Sequence, residues 1–200
     1  MYSQNREEEA IIDYFVGKVG RFIDIGANDG KTFSNTYEMA QRGWEGVFVE
    51  PSPKAFAKLK ENYKDKDGFY FYPFALGDTN GVIKFMDSGT HLGKDDHGLL
   101  STANEADYNK WRASTQFTEI EVKCFRYKTF LNRVKWKEFD LICIDAEGYD
   151  LNILSQIDLR HTQCVCVEWN SFPGRKREFE SLMAGFKIIY TSPENLIFAR

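Results

Sequence analysis

The stretch Arg21–Thr32, RFIDIGANDGKT, constrains the fold more than any other part of the chain. Apolar Phe22, Ile23 and Ile25 lead past Asp24 into a turn bracketed by Gly26 and Gly30, and a segment with helical character follows. A strand, a glycine turn and a helix start form the usual entry of a nucleotide-binding α/β sheet. Glycine has no Cβ, so such a turn can adopt positive φ and bring the backbone close to a ligand.

Spacing and charge narrow the ligand. A phosphate loop has four residues between its glycines, whereas three separate Gly26 from Gly30. The dinucleotide fingerprint needs glycine where Ile25 or Asn28 stands. Asp24 and Asp29 flank the turn and would repel a pyrophosphate. They suit a ligand that carries an ammonium and a sulfonium, which describes S-adenosylmethionine. Glu50 follows Gly30 by twenty positions, after the run Gly46-Val-Phe-Val. A carboxylate at that strand end can accept hydrogen bonds from both ribose hydroxyls.

Two hundred residues suit a single domain spanning 1–200, large enough for a full core. The chain is 42% hydrophobic and 28% charged, as soluble globular proteins are. Its 17 Phe and 10 Tyr fit a Phe-rich core, with an aromatic-lined cleft as the alternative. Net charge is −4, and the basic clusters at Lys123–Lys128 and Arg175–Arg177 are short, so nucleic acid is not an expected partner. No apolar run nears the ~20 residues of a membrane span, and MYSQNREEEA does not read as a signal peptide. Cys124, Cys143, Cys164 and Cys166 form no C-x-x-C pair and read as reduced core thiols, hence a cytoplasmic expectation.

Periodicity predicts an N-terminal helix over 5–17 within an N-terminal segment 1–18, with Asn5 as cap and Glu8 three residues on. Strands follow at 21–26, 46–50 and 69–74, alternating with helices at 33–42 and 53–63, which implies a parallel sheet. Strands at 82–86 and 120–127 should pair. Between them, 87–117 is rich in Gly, Asp, Ser and Asn and reads as a lid or substrate segment. The alternation resumes with a helix at 129–134, a strand at 139–145, a helix at 148–157, a strand at 164–169 and a helix at 175–184. The strand at 139–145 is an apolar run of the kind buried on both faces. The chain ends in a hairpin, 186–190 with 195–199.

The set FIDIGANDGKT, VFVEPSP, FALGD, DLICIDAEGYDLNIL and VCVEWN, in that order and spacing, resembles FkbM-type methyltransferases over about residues 20–200. Asp145-Ala-Glu-Gly148 after its apolar strand is the most specific piece. The resemblance implies a Rossmann-like class I methyltransferase fold: a mostly parallel sheet ending in an antiparallel hairpin, with an inserted irregular and β segment. It further implies S-adenosylmethionine as donor, S-adenosylhomocysteine as product, and O-methylation of a sugar or glycan hydroxyl. A non-sugar small-molecule acceptor, or a SAM-binding protein without catalysis, stand as alternatives.

Carried over by position, Asp24, Gly26, Ala27, Asn28 and Gly30 would hold the methionine part of the donor. Glu50 would hold the ribose, Pro51 would also border the cofactor, and Ala75 and Leu76 would meet the adenine. Asp145 and Glu147 would be the catalytic carboxylates, one orienting or deprotonating the acceptor hydroxyl. His97, Glu168, Trp169 and Asn170 would contact the acceptor. Asp145, Glu147 and Glu168 could also gather around Mg²⁺. A resident metal is not favoured, because Mg²⁺ usually needs substrate oxygens as well. Oligomeric state is left open.

Overall fold

The computed structural model describes residues 2–89 and 98–200. In chain order the first elements are α1 (Glu7–Tyr14), β1 (Arg21–Ile25), α2 (Tyr37–Gln41), β2 (Glu45–Val49), α3 (Pro53–Asn62) and β3 (Phe69–Tyr72). Next come β4 (Ala75–Leu76), β5 (Gly81–Ser88), α4 (Glu105–Trp111), β6 (Phe117–Phe125), α5 (Tyr127–Leu131) and β7 (Leu141–Ile144). The last five are α6 (Asp150–Leu154), β8 (Cys164–Glu168), α7 (Pro173–Leu182), β9 (Lys187–Thr191) and β10 (Asn195–Ala199).

Seven strands form one sheet in the order β3-β2-β1-β7-β8-β10-β9. Ile23 sits level with Val47 on one side and Ile142 on the other, both in parallel register. β7 and β8 are buried along their whole length, as apolar strands covered on both faces should be. Alternate residues feed two cores. Ile23, Val47, Ile142 and Val165 pack with Phe130, Ile153 and Phe179 on one face. Phe22, Phe48, Leu141 and Cys164 pack with Ile11, Met39, Leu59 and Tyr63 on the other. Most Phe residues therefore serve the core, and all four cysteines are free and buried. Among the described residues no helix is long and apolar enough to cross a membrane.

The C-terminal hairpin forms, but its second strand enters the sheet. β10 runs antiparallel to both β8 and β9, with Leu196 opposite Val167 and Thr191. The pairing of 82–86 with 120–127 also holds, Val82 opposite Lys123 through Met86 opposite Glu119. Those strands belong to a separate three-stranded sheet, β4-β6-β5.

Several boundaries shift by a few residues, and three differences from expectation have a visible cause. The third strand stops at Tyr72, and Ala75–Leu76 pairs instead with Cys124 and Phe125 of β6. The helix expected from 33 begins at Tyr37, because 32–36 is held as a loop by side-chain hydrogen bonds to Asp24 and Asp29. The Asn5–Glu8 capping box is absent. Arg6, in a left-handed conformation, takes the N-cap position of α1, while Ser3 Oγ accepts from the Glu8 amide at 3.2 Å and the Glu8 carboxylate accepts from the Ser3 amide at 2.8 Å. Within 87–117, α4 lies between the two long strands, and residues 90–97 fall outside the described residues.

Candidate active site

β1, β2, β7 and β8 are parallel, so their C-terminal ends share one edge of the sheet, where α/β proteins bind ligands. The loops after β1, β2 and β7, together with the second sheet, enclose a cleft of about 1070 Å³, part of it open to solvent.

The first wall is the glycine turn. Gly26, Asn28 and Gly30 all have positive φ, at 81°, 49° and 69°. The amides of Gly26 and Ala27 donate to the Val49 carbonyl at 2.9 and 3.2 Å, tying the turn to β2. Asp29 is spent inside the turn, accepting from the Lys31 and Thr32 amides at 2.8 and 2.7 Å and from the Thr32 hydroxyl. Of the two flanking aspartates only Asp24 lines the cleft. It accepts from the Thr36 hydroxyl at 2.6 Å, and burial pushes its carboxyl up to about 6. Asn35 also lines the cleft, and its buried Oδ1 meets no donor among the described residues.

Glu50 follows β2 directly, with both oxygens aligned by backbone. Oε2 accepts from the Asn28 amide at 2.8 Å and Oε1 from the Ser52 amide at 2.7 Å. Burial raises its carboxyl to about 7 against those two hydrogen bonds. The opposite wall is apolar, formed by Phe74, Leu76, Ile83, Phe85 and the ring of Tyr149.

The far end is acidic. Asp145 follows β7, and its amide donates to the Ile25 carbonyl at 2.9 Å. Asp150 shapes the loop that follows, accepting from the Ala146 amide at 2.8 Å and the Gly148 amide at 3.1 Å. Glu147 takes a positive φ of 45°, and its carbonyl accepts from the Thr102 hydroxyl at 2.9 Å. Asn104 Nδ2 reaches the Gly148 carbonyl at 3.4 Å, so the segment before α4 lies against this loop. Surrounding protein first, then Asp150, Asp24 and Glu50, push the Asp145 carboxyl upward. Its side chain is open to the cleft, so water tempers the first of these effects. Burial, then Asp145 and Asp150, raise Glu147, with Lys110 opposing.

Ten of the sequence-predicted residues therefore line one cleft: Asp24, Gly26, Ala27, Asn28, Glu50, Pro51, Ala75, Leu76, Asp145 and Glu147. Gly30 faces away. Its carbonyl accepts from the Tyr63 hydroxyl at 3.0 Å, and an added Cβ would lie 2.4 Å from Leu59 Cδ1, so it packs the turn onto the core. Glu168, Trp169 and Asn170 stand one strand beyond Asp145, outside the lining. The Trp169 indole donates to the Ser192 carbonyl at 2.9 Å, and the Asn170 amide to the Glu194 carbonyl at 3.1 Å. His97 lies outside the described residues. Sequence reasoning missed Asn35, Thr36 and Asp150. The last was legible as an acid placed to cap the loop after Asp145.

An open sheet of this order, with one antiparallel strand next to its edge, a glycine turn after β1 and an acid after β2, defines the Rossmann-like class I methyltransferases. The methyltransferase FkbM domain family matches residues 24–188, and the chain belongs to that family of S-adenosylmethionine-dependent methyltransferases. It is 23% identical over 186 residues, 87% of its length and 75% of the relative's, to the 2-O-methyltransferase NoeI of Sinorhizobium fredii (strain NBRC 101917 / NGR234). In fold it is similar to the precorrin-6y C5,15-methyltransferase from Geobacter metallireducens GS-15, with TM-score 0.52 and 10% identity, covering 96% of this chain and 86% of that one. It is also similar to a putative RNA methyltransferase, PH1948 from Pyrococcus horikoshii, with TM-score 0.51 and 13% identity, covering 96% and 80%.

Proposed function

We propose that the enzyme transfers the methyl group of S-adenosylmethionine to a hydroxyl oxygen of a sugar or sugar-like small molecule. The observation that carries this reading is one cleft with two unlike halves. One half is a glycine turn, a backbone-aligned Glu50 and an apolar wall. The other is a pair of carboxylates, the exposed Asp145 and the half-buried Glu147.

The first half fits the donor. Asp24 and the unpartnered Asn35 Oδ1 offer acceptors to an ammonium. Glu50 keeps a free lone pair on each oxygen beyond those its two amides use, enough for both ribose hydroxyls. Pro51, Ala75 and Leu76 border the space for a flat heterocycle. The donor supplies an already activated methyl on a sulfonium, and S-adenosylhomocysteine is the product. The protein must then align the acceptor and manage its proton.

Asp145 and Glu147 do that second job: carboxylates accept hydrogen bonds from hydroxyls, fix the attacking oxygen in line and take up its proton. Residues 98–111 close over the acceptor, and Glu168, Trp169 and Asn170 meet its far end. The relative named a 2-O-methyltransferase supports oxygen as the acceptor atom. The carboxylates of the acceptor half and a net charge of −4 disfavour a phosphate-rich acceptor such as RNA. Four free buried thiols fit a reducing, cytoplasmic setting.

The test is incubation with methyl-labelled S-adenosylmethionine and a panel of oligosaccharides, small phenols and RNA. Label appearing as an O-methyl ether in a carbohydrate supports the proposal. Label in a phenol or in RNA overturns it, and donor binding without transfer to any member points to the non-catalytic alternative.

A further inference from the structure

Three carboxylates converge beside the acceptor half: Asp145 after β7, Asp150 at the start of α6 and Glu168 at the end of β8. One oxygen of each lies within 4.8 Å of those of the other two. A divalent cation bound at ~2.1–2.4 Å holds opposite ligands ~4.2–4.8 Å apart and neighbouring ones closer, so the three oxygens can share one ion. Hard oxygen donors of this kind select Mg²⁺, Mn²⁺ or Ca²⁺ over softer metals.

A second observation is independent of the clustering. Glu168 is only 7% exposed, and its Oε2 is buried with no donor among the described residues. A buried carboxylate oxygen without a donor is costly, which calls for a proton or a cation at that point. Among the described residues no ion pair within 4 Å reaches any of the three carboxylates, although the Arg175 charge favours ionised Asp150 and the Asn170 side chain favours ionised Glu168. Asp150, by contrast, is held by the Ala146 and Gly148 amides and keeps lone pairs for a further partner. The ligand set also differs from the one read in the sequence. Asp150 replaces Glu147, whose residue turns through positive φ toward the cleft lining.

We propose that Asp145, Asp150 and Glu168 bind one divalent cation, Mg²⁺ or Mn²⁺, and that two oxygens of the acceptor complete its shell. Asp145 belongs to both the cation site and the cleft, so the ion sits at the acceptor end. There it selects acceptors with two neighbouring oxygens, a vicinal diol above all. The acceptor part of this statement rests on the methyl-transfer reading, whereas cation binding does not.

The experiment uses the full chain, stripped of metal with EDTA and titrated with MnCl₂ alone while free Mn²⁺ is followed by electron paramagnetic resonance. E168Q and D145N are compared with E121Q, a change at an exposed position on β6. Calorimetry with S-adenosylhomocysteine on the same samples reports the donor half separately, and circular dichroism reports folding. The expected result is one Mn²⁺ per chain, displaced by Mg²⁺, with affinity at least about tenfold weaker in E168Q and D145N and unchanged in E121Q. If E168Q fails to fold, D145N carries the comparison, since that side chain is exposed. Wild-type protein that binds S-adenosylhomocysteine but takes up no Mn²⁺ overturns the cation site, as does Mn²⁺ uptake indifferent to both substitutions. Mn²⁺ uptake without S-adenosylhomocysteine binding leaves the cation site standing and overturns the donor reading instead.

Discussion

The carbonyl oxygen of Asp145 fills the space beside the α-carbon of Gly26, so that a Cβ added at Gly26 would lie 1.7 Å from it. The Asp145 amide meanwhile donates to the Ile25 carbonyl at 2.9 Å. The glycine turn and the acidic loop are thus locked together through backbone, and the two halves of the cleft keep a fixed spacing. Gly26→Ala cannot be absorbed by a rotamer change, because the obstacle is backbone and φ is 81°. It should cost about 2–4 kcal/mol in urea unfolding and abolish S-adenosylhomocysteine binding. Wild-type binding by a folded Gly26→Ala protein would break the link between the two loops and the site.

Buried carboxyls give the apo protein a defined pH dependence. Glu50 is raised from 4.5 to about 7 and Asp24 from 3.8 to about 6. An acid whose pKa is higher in the folded chain keeps its proton longer there. Stability is then greatest below the unfolded value and falls as pH rises toward the folded one. Unfolding free energy should therefore decline between about pH 4.5 and 7, with Glu50 contributing on the order of 1–3 kcal/mol. Glu50→Gln should remove about one proton from the linkage in this window, whatever constant offset arises from setting an amide NH₂ against the Asn28 or Ser52 amide. Denaturant melts at half-unit pH steps read this directly.

Donor binding should show the opposite slope. Ribose hydroxyls donate to an ionised Glu50, so S-adenosylhomocysteine affinity should rise with pH toward about 7 and level off above it, by at most about tenfold per unit. Calorimetry from pH 5.5 to 8.5 would check this. A flat profile in the wild type would contradict the role given to Glu50.

At the acidic end, Asp145→Asn and Glu147→Gln should separate binding from chemistry. Each should keep S-adenosylhomocysteine affinity within about threefold, and at least one should lose about 10²-fold or more in turnover, the range of a removed acid–base group. Single-turnover methyl transfer with saturating donor distinguishes the two effects. Normal turnover by both variants would leave the loop without a catalytic role.

Much of this architecture is legible in the sequence alone. β1, β7 and β8 announce themselves as short apolar runs, with Asp24 inside the first, Asp145 just after the second and Glu168 at the end of the third. The terminal hairpin follows from its Ser-Pro-Glu turn. What escaped was decided by contacts distant in sequence. Nothing local tells that β10 inserts between β8 and β9, or that Ala75–Leu76 leaves the main sheet to pair with Cys124–Phe125. The late start of α2 depends on Thr36 bonding to Asp24, twelve residues away. Asp150, rather than Glu147, joins Asp145 and Glu168 only once the start of α6 is folded beside them.

α4 leaves little trace in the sequence, since seven residues give little periodicity. Its signal is the cap: Asn104 Oδ1 accepts from the Ala106 and Asp107 amides at 2.8 and 3.3 Å. The same side chain reaches the Gly148 carbonyl. Asn104→Ala should cost about 1 kcal/mol locally and speed hydrogen exchange across 105–111, with little change in global unfolding. If the segment closes over the acceptor, KM for the acceptor should rise more than kcat falls.

The most direct test of the donor site is calorimetric titration of the purified protein with S-adenosylhomocysteine, with NAD and ATP as controls. The account predicts binding of one S-adenosylhomocysteine per chain at micromolar affinity, lost in Asp24→Ala and Glu50→Ala, and no binding of either control. Binding of NAD or ATP instead, or S-adenosylhomocysteine binding that survives both substitutions, would contradict it.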